Sequence, residues 1–250
     1  MYLHTAKKVV ATIEARMASS RLPGKVLMPL VGKPVLERMI ERIKPSKFVD
    51  EIVIATTVNK PDDEIDDLAK SLGVKCFRGS EEDVLSRVLG AAKSVSADVI
   101  IELTGDCPLS DYRLIDQAIA EFFKRDVDYL ANNMEPLTFA NGFDAQVFPV
   151  RVLEEVSNLT HDPRDREHVT YYIYTHPEKY KTYSLQASDE DLSGDLRVTL
   201  DEKNDLMLIE NIFERLLLID PLFSYKEVIK LLRENPTLVK INKNVKQKKV

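Results

Sequence analysis

Short apolar, β-branched runs alternate with amphipathic stretches along the first half of this chain, and that alternation limits the fold more than any other feature. Val9–Ile13 is such a run, fit for a strand buried on both faces. Pro34 then opens a helical pattern with Leu36, Met39, Ile40 and Ile43 on one side. Glu51–Thr57 reads as a second strand, Pro61 to Leu72 as a helix closed by Gly73, and Val74–Phe77 as a short strand. Residues 81–95 predict another helix, and Asp98–Leu103 a further buried strand running into Thr104, Gly105 and Asp106. Asp111 caps a helix through Phe123. Strand–helix alternation of this kind predicts an α/β fold with a mainly parallel sheet and helices on both faces. Ligands of such sheets bind at the carboxyl ends of the strands.

The second half is less regular. Phe143–Phe148 reads as a strand, Val150–Ser157 and Arg164–Thr175 as helices, and a strand is expected near Tyr180–Leu185. Arg197–Leu200 reads as a last core strand, followed by helices at about 203–218 and 224–234. No linker composition separates the halves. Residues 1–239 are therefore expected to form a single domain with an inserted substrate or dimer region at about 130–185, and residues 240–250 a basic tail.

Composition removes several classes. The 250 residues include only eight glycines, and neither GxGxxG nor GxxxxGK[ST] occurs, which excludes the usual dinucleotide and P-loop phosphate cradles. The formal net charge is −6, and five lysines of the tail (Lys240, Lys243, Lys246, Lys248 and Lys249) make the remaining body more acidic still. Such a body does not suit nucleic acid as a partner, because phosphate contacts need a basic surface. The tail itself reads as a solubilising, frayed end. Cys76 and Cys107 form no CxxC pair, and Cys107 reads as a packing residue. His161, His168 and His176 lack zinc-site spacing. No signal-peptide run or membrane-length apolar stretch is present, so a cytoplasmic location without membrane contact is expected.

Within this acidic body, residues 15–36 hold Arg16, Arg21, Lys25 and Lys33 and no acid. The segment leaves the carboxyl end of the first strand, and Ala18, Ser19 and Ser20 are small enough for backbone amides to approach a ligand. Clustered cations with free amides suit a polyphosphate, although water alone satisfies an ordinary basic loop. Asp106, closing a buried strand, stands where parallel sheets place ligands. Asp201, following Arg197–Leu200, could meet it over one metal ion, or each could serve as an ordinary loop or N-cap aspartate. Asp144 and Gln146 alternate and would point to one side of a strand; on a helix, His168 and Tyr172 would share a face. Asp83 and Arg87 are four apart and also suit a plain helix pair.

The run Glu14-Ala-Arg-Met-Ala-Ser-Ser-Arg-Leu-Pro-Gly-Lys25 resembles the signature loop of bacterial cytidylyltransferases that activate acidic sugars. These are the synthetases for the CMP forms of Kdo and of sialic-type nonulosonic acids, and in particular the branch named after spore-coat polysaccharide biosynthesis protein F. The resemblance continues through Arg78-Gly-Ser-Glu-Glu-Asp-Val-Leu-Ser-Arg87, Thr104-Gly-Asp-Cys-Pro-Leu109, Asp128–Asn133, Gly142–Phe148, Arg166-Glu-His-Val-Thr170 and Val198–Leu206. It implies a Rossmann-like three-layer fold of the nucleotide-diphospho-sugar transferase type, a homodimer, and transfer of CMP from CTP to an acidic sugar with Mg²⁺. It further implies nucleotide contacts from Ala15, Arg16, Ser19, Ser20, Arg21, Lys25, Thr56 and Asp106, with Ser80, Asp83 and Arg87 at the cytosine and ribose. Asp106 and Asp201 would hold the metal, and Arg16, Lys25 and Asp106 would act in catalysis. Asn133, Asp144, Gln146, Arg166, His168 and Tyr172 would face the sugar.

Three positions depart from the family pattern. Glu14 stands where glutamine or proline is usual, Asn141-Gly-Phe-Asp replaces a more usual Arg- or Asp-Gly-Leu-Asp, and Tyr171 replaces a proline. The latter two fall on the presumed sugar side. Transfer to a phosphate- or phosphonate-bearing acceptor, a catalytically silent nucleotide-binding protein, and a metal-dependent glycosyltransferase are the alternative readings.

Overall fold

The computed structural model describes residues 7–247. The chain runs through β1 (Val9–Glu14), a small hairpin of β2 (Pro29–Leu30) and β3 (Lys33–Pro34), α1 (Val35–Ile43), β4 (Glu51–Thr57), α2 (Asp63–Leu72) and β5 (Lys75–Gly79). It continues with α3 (Val84–Ser94), β6 (Val99–Thr104), α4 (Tyr112–Lys124), β7 (Tyr129–Ala131), β8 (Gln146–Pro149) and α5 (Val150–Leu159). Then follow α6 (Pro163–Glu167), α7 (Tyr171–Thr175), β9 (Thr182–Ser184), α8 (Lys203–Leu216), α9 (Tyr225–Glu234) and α10 (Pro236–Val239). Seven of the described strands form one sheet in the order β5-β4-β1-β6-β8-β7-β9. Only β8 opposes the common direction, pairing antiparallel with both β6 and β7.

Alternation along the buried strands divides the core into two layers. Ala11, Ile13, Ile54, Ile101 and Val147 face α1, α2, α4, α8 and α9. Val10, Val53, Ala55, Ile100 and Phe148 face α3 and α5. This is the expected three-layer α/β fold: strands apolar on both faces need a helical layer over each.

The second half corrects several expectations. Arg197–Leu200 is not a sheet strand; Arg197 makes a single parallel bridge to Asn141. The segment instead docks by backbone bonds, Val198 N–H to Asn141 O at 2.7 Å and Leu200 N–H to Asp106 O at 2.8 Å. Val198 and Leu200 are buried all the same, which is why the segment reads as a strand. The strand expected from Phe143 starts only at Gln146, because the Asn132 side chain takes the Phe143 carbonyl (2.8 Å) and the Ala145 amide (2.7 Å). The helix expected over Arg164–Thr175 breaks in two at His168, whose φ of −111° and ψ of 51° are not helical. Strand β7, three residues long, is too short to show alternation.

The basic tail is not a frayed end over its described part. Asn242 is buried and donates to Asp205 Oδ1 (2.8 Å) and to the Arg197 carbonyl (3.1 Å). Val245 N–H bonds the Asn242 carbonyl at 2.9 Å, and Arg21 donates to the Lys246 carbonyl at 3.4 Å. Lys248 and Lys249 lie outside the described residues. Among the described residues, no helix is long and apolar enough to cross a membrane.

Candidate active site

β1 and β6 lie side by side at the centre of the sheet and deliver their carboxyl ends to the same place. The cationic loop leaves β1 there. Its start is fixed by Asp62, a buried residue whose carboxylate accepts the Met17 amide at 2.7 Å and the Thr57 amide at 3.2 Å. Its end is fixed by Gly24, whose amide returns to the Met17 carbonyl at 2.9 Å with φ +73°. A single tight turn over Lys25–Leu27 then sends Lys25 inward. On the β6 side, Gly105 N–H meets the Glu14 carbonyl at 2.7 Å, and a Cβ at Gly105 would stand 2.7 Å from that oxygen. Glycine is required because backbone approaches backbone.

Lys25 is the hub. Its ammonium donates to Asp106 Oδ2 at 2.8 Å, Asp201 Oδ1 at 2.9 Å and the Leu200 carbonyl at 2.8 Å. Asp201 also pairs with Arg21 at 2.7 Å and with Arg197 at 2.6 Å. Behind it, fully buried Asp205 accepts the Asp201 amide (2.9 Å) and the Glu202 amide (3.0 Å). The capping box of α8 is built from Glu202 and Asp205, so Asp201 itself is free of cap duty. Burial alone would lower the Lys25 pKa, but Asp106 and Asp201 outweigh it and hold it above the usual lysine value. Burial would likewise raise Asp201, and Lys25, Arg197 and Arg21 hold it below the usual carboxylate range.

Two cavities meet at this hub. One, about 260 Å³, is lined by Ala15, Arg16, Ser19, Ser20, Arg21, Lys25, Arg87, Asp106, His168 and Asp201. The other, about 330 Å³, is lined by Asn133, Asp144, Gln146, Tyr174 and Gln247, and shares Arg21, Asp106, His168 and Asp201 with the first. The expected phosphate-side and sugar-side residues therefore fall largely into two adjoining spaces. A third cavity, about 520 Å³, lies beyond Arg16 and is lined by Asp83, Arg166 and His161.

Several residues are placed differently from expectation, and Ser80 and Arg166 line neither of the first two cavities. Thr56 is fully buried on β4 and lines none of these cavities, because alternation turns its side chain, like that of Ile54, toward the layer of α1 and α2. Asp83 caps α3 by accepting the Ser86 amide at 2.9 Å, and Arg166 Nε donates to it at 2.8 Å. Asp83 thus pairs with α6, not with Arg87. The Arg87 guanidinium instead donates to the Ser80 carbonyl at 2.5 Å and lies 4.0 Å from Glu14. Tyr172 is not on a common face with His168: the helix break carries it away, to stack on His176 with ring centroids 3.9 Å apart. Tyr174 takes the cavity position.

A buried carboxyl group escaped notice in the sequence. Glu102 lies on β6 in the second cavity's lining, with Gln146 Nε2 donating to it. Gln146 Oε1 in turn accepts from Tyr129 (2.6 Å) and Thr170 (2.7 Å). Burial, and then the neighbouring Glu14 charge, push Glu102 well above the usual glutamate pKa. Burial also raises Glu14, and raises Asp144 to about 6. A charged residue inside the apolar run Val99–Leu103 was the available signal. Among the described residues no three His, Cys, Asp or Glu side chains form a self-contained metal site. A metal at Asp106 and Asp201 would draw its other ligands from a nucleotide and water, which is how Mg²⁺ usually binds.

A family model described as cytidylyltransferase matches residues 10–245, nearly the whole chain. This chain belongs to the cytidylyltransferase family. The cytidylyltransferase is 35% identical over 237 residues to the spore coat polysaccharide biosynthesis protein SpsF of Bacillus subtilis, covering 91% of this chain and 95% of that one. An uncharacterized protein of Methanocaldococcus jannaschii is 38% identical over 241 residues, 96% and 97% of the two chains. A solved cytidylyltransferase from Leptospira borgpetersenii superposes with a TM-score of 0.89 at 34% identity, covering 96% of this chain and 100% of that one. The resemblance read from the loop motifs is thus borne out at the level of family, fold and enzyme class: the protein is a nucleotidyltransferase.

Proposed function

We propose that this cytidylyltransferase transfers CMP from CTP to a hydroxyl of an acidic sugar and releases pyrophosphate. The observation that carries the reading is the junction of the two cavities at Asp106 and Asp201, the two carboxylates that share Lys25. The triphosphate occupies the cavity walled by the cationic loop, with Arg16, Arg21 and Lys25 holding its oxygens. The acceptor occupies the cavity walled by Asn133, Asp144 and Gln146, whose amide and carboxyl groups match sugar hydroxyls. Its attacking oxygen meets the α-phosphorus where the cavities join, in line with departing pyrophosphate and without a covalent enzyme intermediate. Lys25 and Arg21 offset the charge that develops on the leaving group.

Asp106 and Asp201 fit Mg²⁺ as hard oxygen donors already sharing one cation. When bound with the nucleotide, the ion would supply Lewis-acid polarisation of the phosphate oxygens. The carboxylate of the acceptor is assigned to the side of Arg21 and His168, since the rest of the acceptor lining is rich in carboxyl groups. Glu14, unusual for the family, is accommodated because its burial beside Glu102 favours a shared proton over a second negative charge.

The test is pyrophosphate release from CTP and Mg²⁺ across a panel of Kdo, N-acetylneuraminate, neutral sugars and sugar phosphates. Release with the sugar acids supports the reading. Release confined to phosphorylated acceptors replaces it, and CTP binding without release across the panel indicates a silent nucleotide-binding protein. Near-normal turnover of Asp106→Asn at limiting Mg²⁺ removes the metal assignment.

A further inference from the structure

Residues 240–247 lead from α10 to the second cavity, and Gln247 forms part of its wall. The segment is tied down at three points. Asn242, buried, bonds Asp205 and the Arg197 carbonyl. The Lys246 carbonyl accepts from Arg21, and Gln247 Oε1 accepts from Arg197 Nη1. Arg21 and Arg197 are also the two guanidinium groups that pair with Asp201. The strap therefore hangs on the charge network of the reaction centre.

The contact with Arg197 fixes the orientation of the Gln247 amide. A guanidinium only donates, so the carbonyl oxygen must face it and the NH₂ group must face away. The charged groups around this cavity are mainly carboxyl groups, Glu14, Glu102, Asp106, Asp144, Glu167 and Asp201, with Arg21 as the guanidinium among them. An amide NH₂ at the rim adds a donor, beside Arg21, to a lining whose charged groups are mainly acidic. We infer that Gln247 is a specificity residue of the acceptor site, donating from its amide nitrogen to a carboxylate oxygen of the bound sugar acid. This rests on the cytidylyl-transfer reading and adds to it a residue from the extreme C-terminal segment.

The experiment uses the full-length enzyme with CTP, Mg²⁺ and, separately, Kdo and N-acetylneuraminate. Gln247→Ala raises the acceptor KM by roughly three- to tenfold, the range for one hydrogen bond, and leaves the CTP KM within about twofold. Gln247→Glu raises it further, by more than about tenfold, because like charges then face each other. Gln247→Asn recovers part of the loss. An unchanged acceptor KM in Gln247→Ala, or a Gln247→Glu effect no larger than that of alanine, overturns the inference. A merely structural strap would move both KM values together. Absence of pyrophosphate release by the wild type with every acceptor defeats the underlying reading instead. The docked strap is then still read by limited trypsin digestion and intact mass: cleavage after Lys246 is at least about threefold faster in Gln247→Ala than in wild type if the amide anchors the segment. Equal rates overturn the inference.

Discussion

Lys25 and Asp201, 176 positions apart in the chain, meet at 2.9 Å in the centre of the candidate site. The contact joins the cationic loop to the segment before α8, and Asp106 completes it from just beyond β6 at 2.8 Å. Lys25→Met removes the shared cation and leaves Asp106 with one partner fewer. Turnover is expected to fall by about 10²- to 10³-fold, as for loss of one group aimed at developing charge. Thermal stability should fall as well, since Asp201 keeps Arg21 and Arg197 but loses its most buried partner. Steady-state pyrophosphate release and a melting curve measure both effects. Turnover within threefold of wild type would remove Lys25 from the mechanism.

Asp144 gives a pH dependence with a definite sign. Burial raises its pKa to about 6, so the folded state holds this proton more tightly than the unfolded chain does. Its contribution to stability is complete below the ordinary aspartate pKa and is lost as pH rises through about 6. Asp144→Asn, which cannot ionise, should therefore gain in melting temperature relative to wild type between pH 5 and pH 7. A difference that stays constant or reverses over that interval contradicts the assignment. Glu14 and Glu102 act in the same direction and remain in both proteins.

Tyr172 and Tyr174 separate the expected from the observed acceptor wall. Tyr172→Phe should leave the acceptor KM within about twofold, because its hydroxyl takes a bond from Lys179 away from the cavities. Tyr174→Ala should raise the acceptor KM, since its ring lines the second cavity. The reverse ranking would restore the single-helix arrangement read from the sequence.

Gly105→Ala tests how closely β1 and β6 must approach. The added methyl group would stand 2.7 Å from the Glu14 carbonyl, and no flexible side chain can yield there. A loss of about 1–3 kcal/mol in stability is expected, together with reduced turnover because Asp106 follows directly. Denaturant unfolding and single-turnover kinetics report the two parts.

Arg42 braces the segment that follows Asp106. It is buried, donates to the carbonyls of Ser110 (3.2 Å), Leu109 (3.3 Å) and Phe223 (2.8 Å), and lies 4.1 Å from the Phe223 ring centroid. Burial lowers its pKa to about 10. Arg42→Met keeps the volume but leaves these carbonyls without a donor, at about 2–4 kcal/mol in total. The expected signature is a lower melting temperature with turnover per folded molecule retained to within a few-fold. An unchanged melting temperature would show the brace to be dispensable.

The amino-acid pattern alone determined the parallel core and the location of its ligand site. Strands β1, β4 and β6 are apolar on both faces, and a strand of that kind has no stable place except under two helical layers. The loop beginning at Ala15 was legible for a similar reason: cations without acids are conspicuous in an acidic chain. Local chemistry was sufficient wherever neighbours in sequence make the structure.

Tertiary structure decided the rest. Nothing near Asp201 in sequence announces Lys25 as its partner, and the backbone docking of Arg197–Leu200 has the same hydrophobic alternation as a strand. The break at His168 depends on packing that periodicity does not encode, and it exchanges Tyr172 for Tyr174 in the cavity. The tail reads by composition as a solvated end, yet Asn242 and Gln247 meet Arg197 and Asp205 across the site. Charge patterning assigns a lysine-rich segment to water because lysine is cheaply solvated. It says nothing of Asn242 and Gln247 between those lysines, whose partners are supplied only when the folded chain brings residues 197–205 beneath them.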